Sequence, residues 1–265
     1  MSSPSSSQPS STSSFSKTLP TGSSNTFDLV GFLDQYKFVI AGILAAGIVG
    51  GLGYVTVGYV KARAEKSAQE AFYPLEKQYT EKRAKFDQAR IAGITGQNID
   101  ELLKEGAAVR ASGDLSKDYG TLIDEMETFA NDKKGTAAGT QAALFAAETR
   151  IQYEQADKAS AMLHSTVEAT KASSLIGGLA RMASGNAFAA AGKCDEALKS
   201  WEQVLSAKPL AFLHGEAALR AGLCFEKSGD KAKALEMYRK ASSESEQSQA
   251  AKTARSLMRA LELGS

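Results

Sequence analysis

The sequence predicts an all-α protein: one membrane-spanning helix near the N-terminus, then an array of helical hairpins. Three observations carry this. Residues 38–60 hold no charged side chain. A set of small and aromatic residues recurs at an offset of 37 residues in the C-terminal half. Alanine is abundant, whereas runs of β-branched and aromatic residues are nearly absent outside the apolar stretch, which favours helix over strand.

In chain order, residues 1–30 come first, rich in Ser with Thr, Pro and Gly. Such a stretch buries too little apolar surface to offset its ordering entropy and is expected to be disordered. Lys17 is its only charged residue before Asn25. A secretory leader would start with a short basic region, so a cleaved leader is disfavoured.

Phe38–Val60 has the length and composition of a transmembrane helix. At about 1.5 Å per residue it reaches roughly 35 Å, enough to cross a hydrocarbon core of about 30 Å with tilt. A buried helix of a soluble domain rarely runs this long without a charge. Tyr54 and Tyr59 stand at the end that would meet the interface. Gly42, Ala46 and Gly50 are spaced four apart, and so are Gly47 and Gly51. Small residues at this spacing let two membrane helices approach, so this face suits association with a second copy or another membrane helix.

Residues 61–135 read as a helical linker with N-terminal helices. Pro74 is expected to break the first of them. Residues 92–98 read as a turn, with Asp100 capping a short helix from Glu101. A turn at 111–114 precedes a helix expected over 115–130, ended by Asn131 to Gly135.

Residues 136–265 carry the repeat. Gly185, Phe188, Gly192, Ala197, Trp201 and Val204 return 37 positions later as Gly222, Phe225, Gly229, Ala234, Tyr238 and Ala241. Self-similarity at this period marks a helical repeat. In each copy a small residue and an aromatic share the first helix. A glycine ends that helix, and Ala with an aromatic four residues on share a face of the second. Lys208-Pro209 ends the second helix of the first copy. A weaker copy precedes, with Ala142–Tyr153 as its first helix and Asp157, Ala159 and Leu163 opening its second. A last helix over 248–261 would cover the open end with Ala250, Ala251, Ala254, Leu257, Met258 and Leu261.

These positions resemble the tetratricopeptide repeat. Gly185, Phe188, Ala197, Trp201 and Pro209 match its spacing. The usual first-helix Trp is Arg181 in one copy and Ala218 in the other, and Glu246 stands at the closing proline of the second. The predicted class is therefore a single transmembrane helix followed by a tetratricopeptide-like hairpin array. The layout, together with Phe32 to Lys37 and Phe129 through Leu163, is similar to the bacterial YfgM-type family of ancillary Sec translocon subunits. Residues 75–115 read as an insertion relative to it. That resemblance implies an inner-membrane protein with a periplasmic repeat domain that meets translocon subunits, emerging unfolded chains or chaperones.

By analogy with the repeat, Met182, Asn186, Leu219, Leu223 and Lys227 are expected on the partner-binding face. Asn186 sits where some repeat domains clamp a C-terminal carboxylate. Those need a lysine one turn earlier, and here that residue is Met182, so no such clamp is expected.

Other functions find little support. A net charge of +1 and a pI near 7.7 argue against a nucleic-acid binder. No G-x-S-x-G, Walker loop or H-E-x-x-H occurs, so no catalytic residue, cofactor or enzyme activity is expected. His164 and His214 stand apart from any Cys/His cluster, so no metal is expected. Neighbouring hairpins could bring Cys194 and Cys224 together, but small buried hydrophobes are the preferred reading of the pair. Topology divides the arguments. Lys37 precedes the span while Lys61, Arg63 and Lys66 follow it, which by the positive-inside rule favours a cytoplasmic repeat domain. The resemblance favours the periplasm, and that side is preferred. The alternative is a repeat scaffold of a secretion or division complex, facing the cytoplasm.

Overall fold

A computed structural model describes the backbone of residues 29–96, 98–244 and 247–263, and side chains at 56 and from 58 onward within those ranges. Most of the Ser-rich tail lies outside the described residues, as do the side chains of Gly42, Ala46, Gly47, Gly50 and Gly51. The chain divides into two units, residues 1–57 and 58–265. Among the described residues there is no strand. Nor is any helix among them long and apolar enough to cross a membrane, and most side chains of Phe38–Val60 lie outside that set.

Eleven α-helices run through the described residues: α1 Leu29–Thr95, α2 Ile99–Lys104, α3 Leu115–Tyr119, α4 Leu122–Asp132, α5 Ala137–Gln152, α6 Ala156–Ala169, α7 Leu175–Ala190, α8 Cys194–Ser206, α9 Ala211–Lys227, α10 Lys231–Glu244 and α11 Gln249–Leu263. A 3-10 turn, Lys208–Leu210, joins α8 to α9. It takes up the extra length that separates the two best repeat copies.

The array is built from hairpins α5/α6, α7/α8 and α9/α10, with α11 packed on α9 and α10. Side chains open two of the first helices in the same way. Thr136 Oγ1 accepts from the N–H of Gly139, and Ser174 Oγ accepts from the N–H of Gly177. Each bond satisfies a donor that a helix start leaves free. Inside the hairpins, glycine makes room for the aromatic across from it. A Cβ on Gly185 would stand 2.3 Å from Trp201 Nε1, and one on Gly222 2.4 Å from the Tyr238 ring. Trp201 and Tyr238 are buried, and an aromatic of this size contributes about 2–3 kcal/mol through burial.

The turns between helices of a hairpin share one geometry. Gly192 (φ 77°) and Gly229 (φ 83°) follow the first helices of two hairpins, and the next N–H reaches back to Phe188 and Phe225. The left-handed conformation is open to glycine at little steric cost. The α5/α6 hairpin has the same bond, from the N–H of Gln155 to the Arg150 carbonyl, but its left-handed residue is Glu154, φ 61°.

Residues 61–135 supply part of the core. Ala68, Phe72 and Tyr79 of α1 share one cluster with Leu122, Ile123 and Met126 of α4 and with Ala142, Ala143 and Ala146 of α5. Phe72 stacks on Phe129 with centroids 5.5 Å apart, and Tyr79 on Phe145 at 4.8 Å. That packing corrects the break expected at Pro74. Helix α1 runs through it, because buried aromatics on both sides hold the axis while the ring removes one backbone bond. The helix expected over 115–130 is also corrected. Gly120, at φ 63°, divides it into α3 and α4. Asp100 does not cap α2, which starts after Asn98 and holds Asp100 in its first turn.

The reading of the cysteines changes as well. Cys194, the first residue of α8, and Cys224, inside α9, form a disulfide with Cα atoms 5.6 Å apart. Helices α8 and α9 pack together, and the repeat register puts these two positions at bonding distance.

Candidate partner-binding surface

Helices α7 and α9 are the first helices of neighbouring hairpins and touch one another. They carry the five residues expected to meet a partner. Met182 and Leu219 occupy equivalent positions in the two copies and are each 7% exposed. They pack into adjacent core clusters, Met182 with Trp201 and Leu219 with Tyr238. Their role is packing, since a partner cannot reach side chains so covered. Leu223 is exposed, Lys227 ends α9 in solvent, and Asn186 is half-buried.

Two residues outside the expectation join them. Glu216, Arg220, Leu223 and Lys227 follow the i, i+4, i+7, i+11 spacing that puts side chains on one stripe of a helix. Arg220 Nη2 donates to Glu216 Oε1 at 2.7 Å. The same spacing was present in the sequence, and extending the pair Leu223 and Lys227 back by one and two turns would have found both.

Two polar atoms here lack partners. Asn186 Oδ1 and Arg220 Nε are buried atoms with no hydrogen bond. Both atoms are covered within the fold, as is Trp201 Nε1, which also lacks a partner, so an incoming group does not reach them. What the stripe shows to solvent is Leu223 and Lys227, with the Glu216–Arg220 pair a turn or two earlier, and it contains no nucleophile–base pair.

The position that usually holds the first-helix Trp is occupied by Arg181, which is buried. Its guanidinium donates to Gln203 Oε1 at 2.8 Å, to the Gly177 carbonyl at 2.9 Å, and to the carbonyls of Val167 and Thr170 at 3.3 Å. Val167 and Thr170 lie at the C-terminal end of α6, where a cation meets unpaired carbonyls and the negative end of the helix dipole. Burial pushes the Arg181 pKa down. With its donors engaged, Arg181 ties α6, α7 and α8 together and has no place for a ligand.

A family model described as a tetratricopeptide repeat-like domain matches residues 31–261. It runs through residues 75–115 as well as the hairpins. No curated protein and no solved structure matches the chain. Domains of this kind typically serve as scaffolds for protein–protein contacts rather than as catalysts. With the hairpin register, the capping turns and the glycine–aromatic contacts all agreeing with that match, the chain belongs to the tetratricopeptide repeat-like domain family.

Proposed function

We propose that this chain is a membrane-anchored interaction subunit, with one helix at the bilayer and the repeat array binding another polypeptide through α7 and α9. The observation that carries the reading is the exposed Leu223 and Lys227 on one stripe of α9 with the Glu216–Arg220 pair, on the first helix of a hairpin in a repeat array. The uncharged run Phe38–Val60, within α1, supports the anchor. The Cys194–Cys224 disulfide supports an oxidising compartment for the array. Under this reading the array faces the periplasm from a bacterial inner membrane. The resemblance to ancillary translocon subunits then suggests translocon components, emerging chains or chaperones as partners.

One observation favours a second reading. Lys61, Arg63 and Lys66 follow the span, and basic residues beside a span favour the cytoplasmic side. A scaffold of a secretion or division complex facing the cytoplasm would fit that charge pattern.

Photo-crosslinking residues installed at Leu223 and Lys227 in native membranes test the interaction. The expected result is a discrete adduct with a translocon subunit, a chaperone or a nascent chain. No adduct at either position, while an exposed residue elsewhere crosslinks equally well, removes the stripe as the binding face. Protease added to spheroplasts separates the two sides of the membrane: degradation of the array means periplasm, and its survival until the membrane is permeabilised means cytoplasm.

A further inference from the structure

Where α1 passes the end of α5, an open cleft of about 910 Å³ lies between α1, the segment around Arg110 and the turn after α5. Its volume falls in the range of ligand sites, about 300–1,000 Å³. Phe86, Tyr119 and Tyr153 line it. Arg90, Arg110 and Glu154 line it too.

Glu154 is the informative residue. The three hairpins close with the same turn, and the other two have glycine at this place, Gly192 and Gly229. Glu154 is the one non-glycine residue with positive φ among the described residues. The left-handed conformation is unfavourable for any residue with a Cβ, and strain of this kind persists where function requires the side chain. The carboxylate does not serve the fold: among the described residues Glu154 makes no ion pair and no side-chain hydrogen bond. The fold would gain by glycine here, yet the chain keeps a free carboxylate on the cleft.

The basic residues are not equally free. Arg83 is engaged by Glu148 at 2.8 Å and by the Tyr79 hydroxyl at 2.8 Å. Arg90 meets Asp87 at 3.3 Å, and Arg110 meets Asp100 at a loose 3.8 Å. Arg90 and Arg110 are 68% and 64% exposed, so much of each guanidinium is open to a ligand. The cleft thus offers a free carboxylate and open guanidinium groups around aromatic walls.

We infer that this cleft is a second binding site, taking an extended segment of a partner protein with a basic and an acidic residue flanking an apolar one. Glu154 receives the basic residue, Arg110 and Arg90 the acidic one, and Phe86, Tyr119 and Tyr153 the apolar side chain. Mixed signs rule against a nucleic acid or an anionic lipid surface, which would meet Glu154 as a repulsive charge. The site is separate from the α7–α9 stripe and stands whatever that stripe binds.

The test is calorimetric titration of the full chain in detergent micelles with the end-blocked peptide Gly-Lys-Phe-Glu-Gly, and with Gly-Gln-Phe-Gln-Gly as the neutral form. Thermal unfolding is followed in parallel by circular dichroism. The charged peptide should bind about tenfold more tightly than the neutral one. Glu154→Gln should remove that preference and leave the unfolding midpoint in place, because it keeps the strain and deletes the charge. Glu154→Gly should remove the preference and raise the midpoint. Arg110→Gln should weaken the charged peptide by a similar factor. Equal affinity for the two peptides, no binding of either, an unchanged preference in Glu154→Gln, or a lower midpoint in Glu154→Gly would each overturn the inference.

Discussion

At the scale of single residues, space and charge are assigned narrowly. Trp201 is 1% exposed, and its ring fills the position that a side chain on Gly185 would take. Gly185→Ala should therefore destabilise by about 1–3 kcal/mol, as overpacking does. That holds even though alanine is the better helix former, because the new methyl meets a rigid indole. Chemical denaturation checks the prediction, and an unchanged or increased stability would mean that Trp201 packs elsewhere. Asp118 illustrates the electrostatic side. Burial pushes its pKa up, but the Ser112 N–H, at 3.0 and 2.9 Å, and the Tyr153 hydroxyl, at 2.7 Å, outweigh burial and hold the carboxyl below the ordinary range. A lowered folded pKa stabilises above the unfolded value of about 3.9, and the contribution is lost as pH falls through the folded value. Asp118→Asn should cost about 1–3 kcal/mol near neutral pH. The gap between the two proteins should close below about pH 4. A gap that stays constant down to the acid transition would mean that the charge of Asp118 contributes nothing.

At the scale of helices and hairpins, what could be read from the sequence was whatever depends on local chemistry. The glycine turns at 192 and 229 and the Gly185–Trp201 and Gly222–Tyr238 pairs follow from residue type at fixed spacing, whereas the first helix of the weaker copy, expected from Ala142, begins at Ala137 behind the Thr136 cap. What escaped depends on partners distant in the chain. Pro74 reads as a helix breaker, yet α1 continues because Phe72 and Tyr79 are clasped by Phe129 and Phe145, more than fifty residues away. Arg181 reads as a misfit at a tryptophan position, yet it binds the carbonyl end of α6. Of the candidate site, Leu223 and Lys227 were legible as exposed positions. Met182 and Leu219 were not legible as core, because neighbouring hairpins cover first-helix residues to a depth that one repeat does not reveal. The strain at Glu154 had no sequence signal of its own. It emerges only when three hairpins are aligned by their turns and two of them hold glycine.

At the scale of the whole molecule, the array is quasi-linear: each hairpin meets mainly its neighbours, so stability is a sum of hairpins and the interfaces between them. The disulfide crosses one such interface. It joins the start of α8 to the interior of α9 and closes a loop with a sequence separation of 30. In the chain-entropy picture, a crosslink over this length contributes about 3–4 kcal/mol by restricting the unfolded chain. A nearest-neighbour array should register that loss at the α8/α9 junction first, since α9, α10 and α11 meet the rest mainly through α8, with a smaller contact from α9 to α7. Reduction should lower the thermal midpoint by roughly 6–16 °C, the shift that about 3–4 kcal/mol produces in a domain of this size. Hydrogen exchange should then rise in α9 to α11 before it rises in α5 and α6. The measurement is paired calorimetry and hydrogen exchange with and without a phosphine reductant, with Cys194→Ser, Cys224→Ser as a second route to the open form. Equal midpoints in the two redox states would remove the disulfide from the stability of the array, and with it the support it lends to an oxidising compartment. Uniform loss of protection along α5 to α11 would mean that the hairpins unfold as one cooperative unit and that the bond acts on the whole array rather than on one junction.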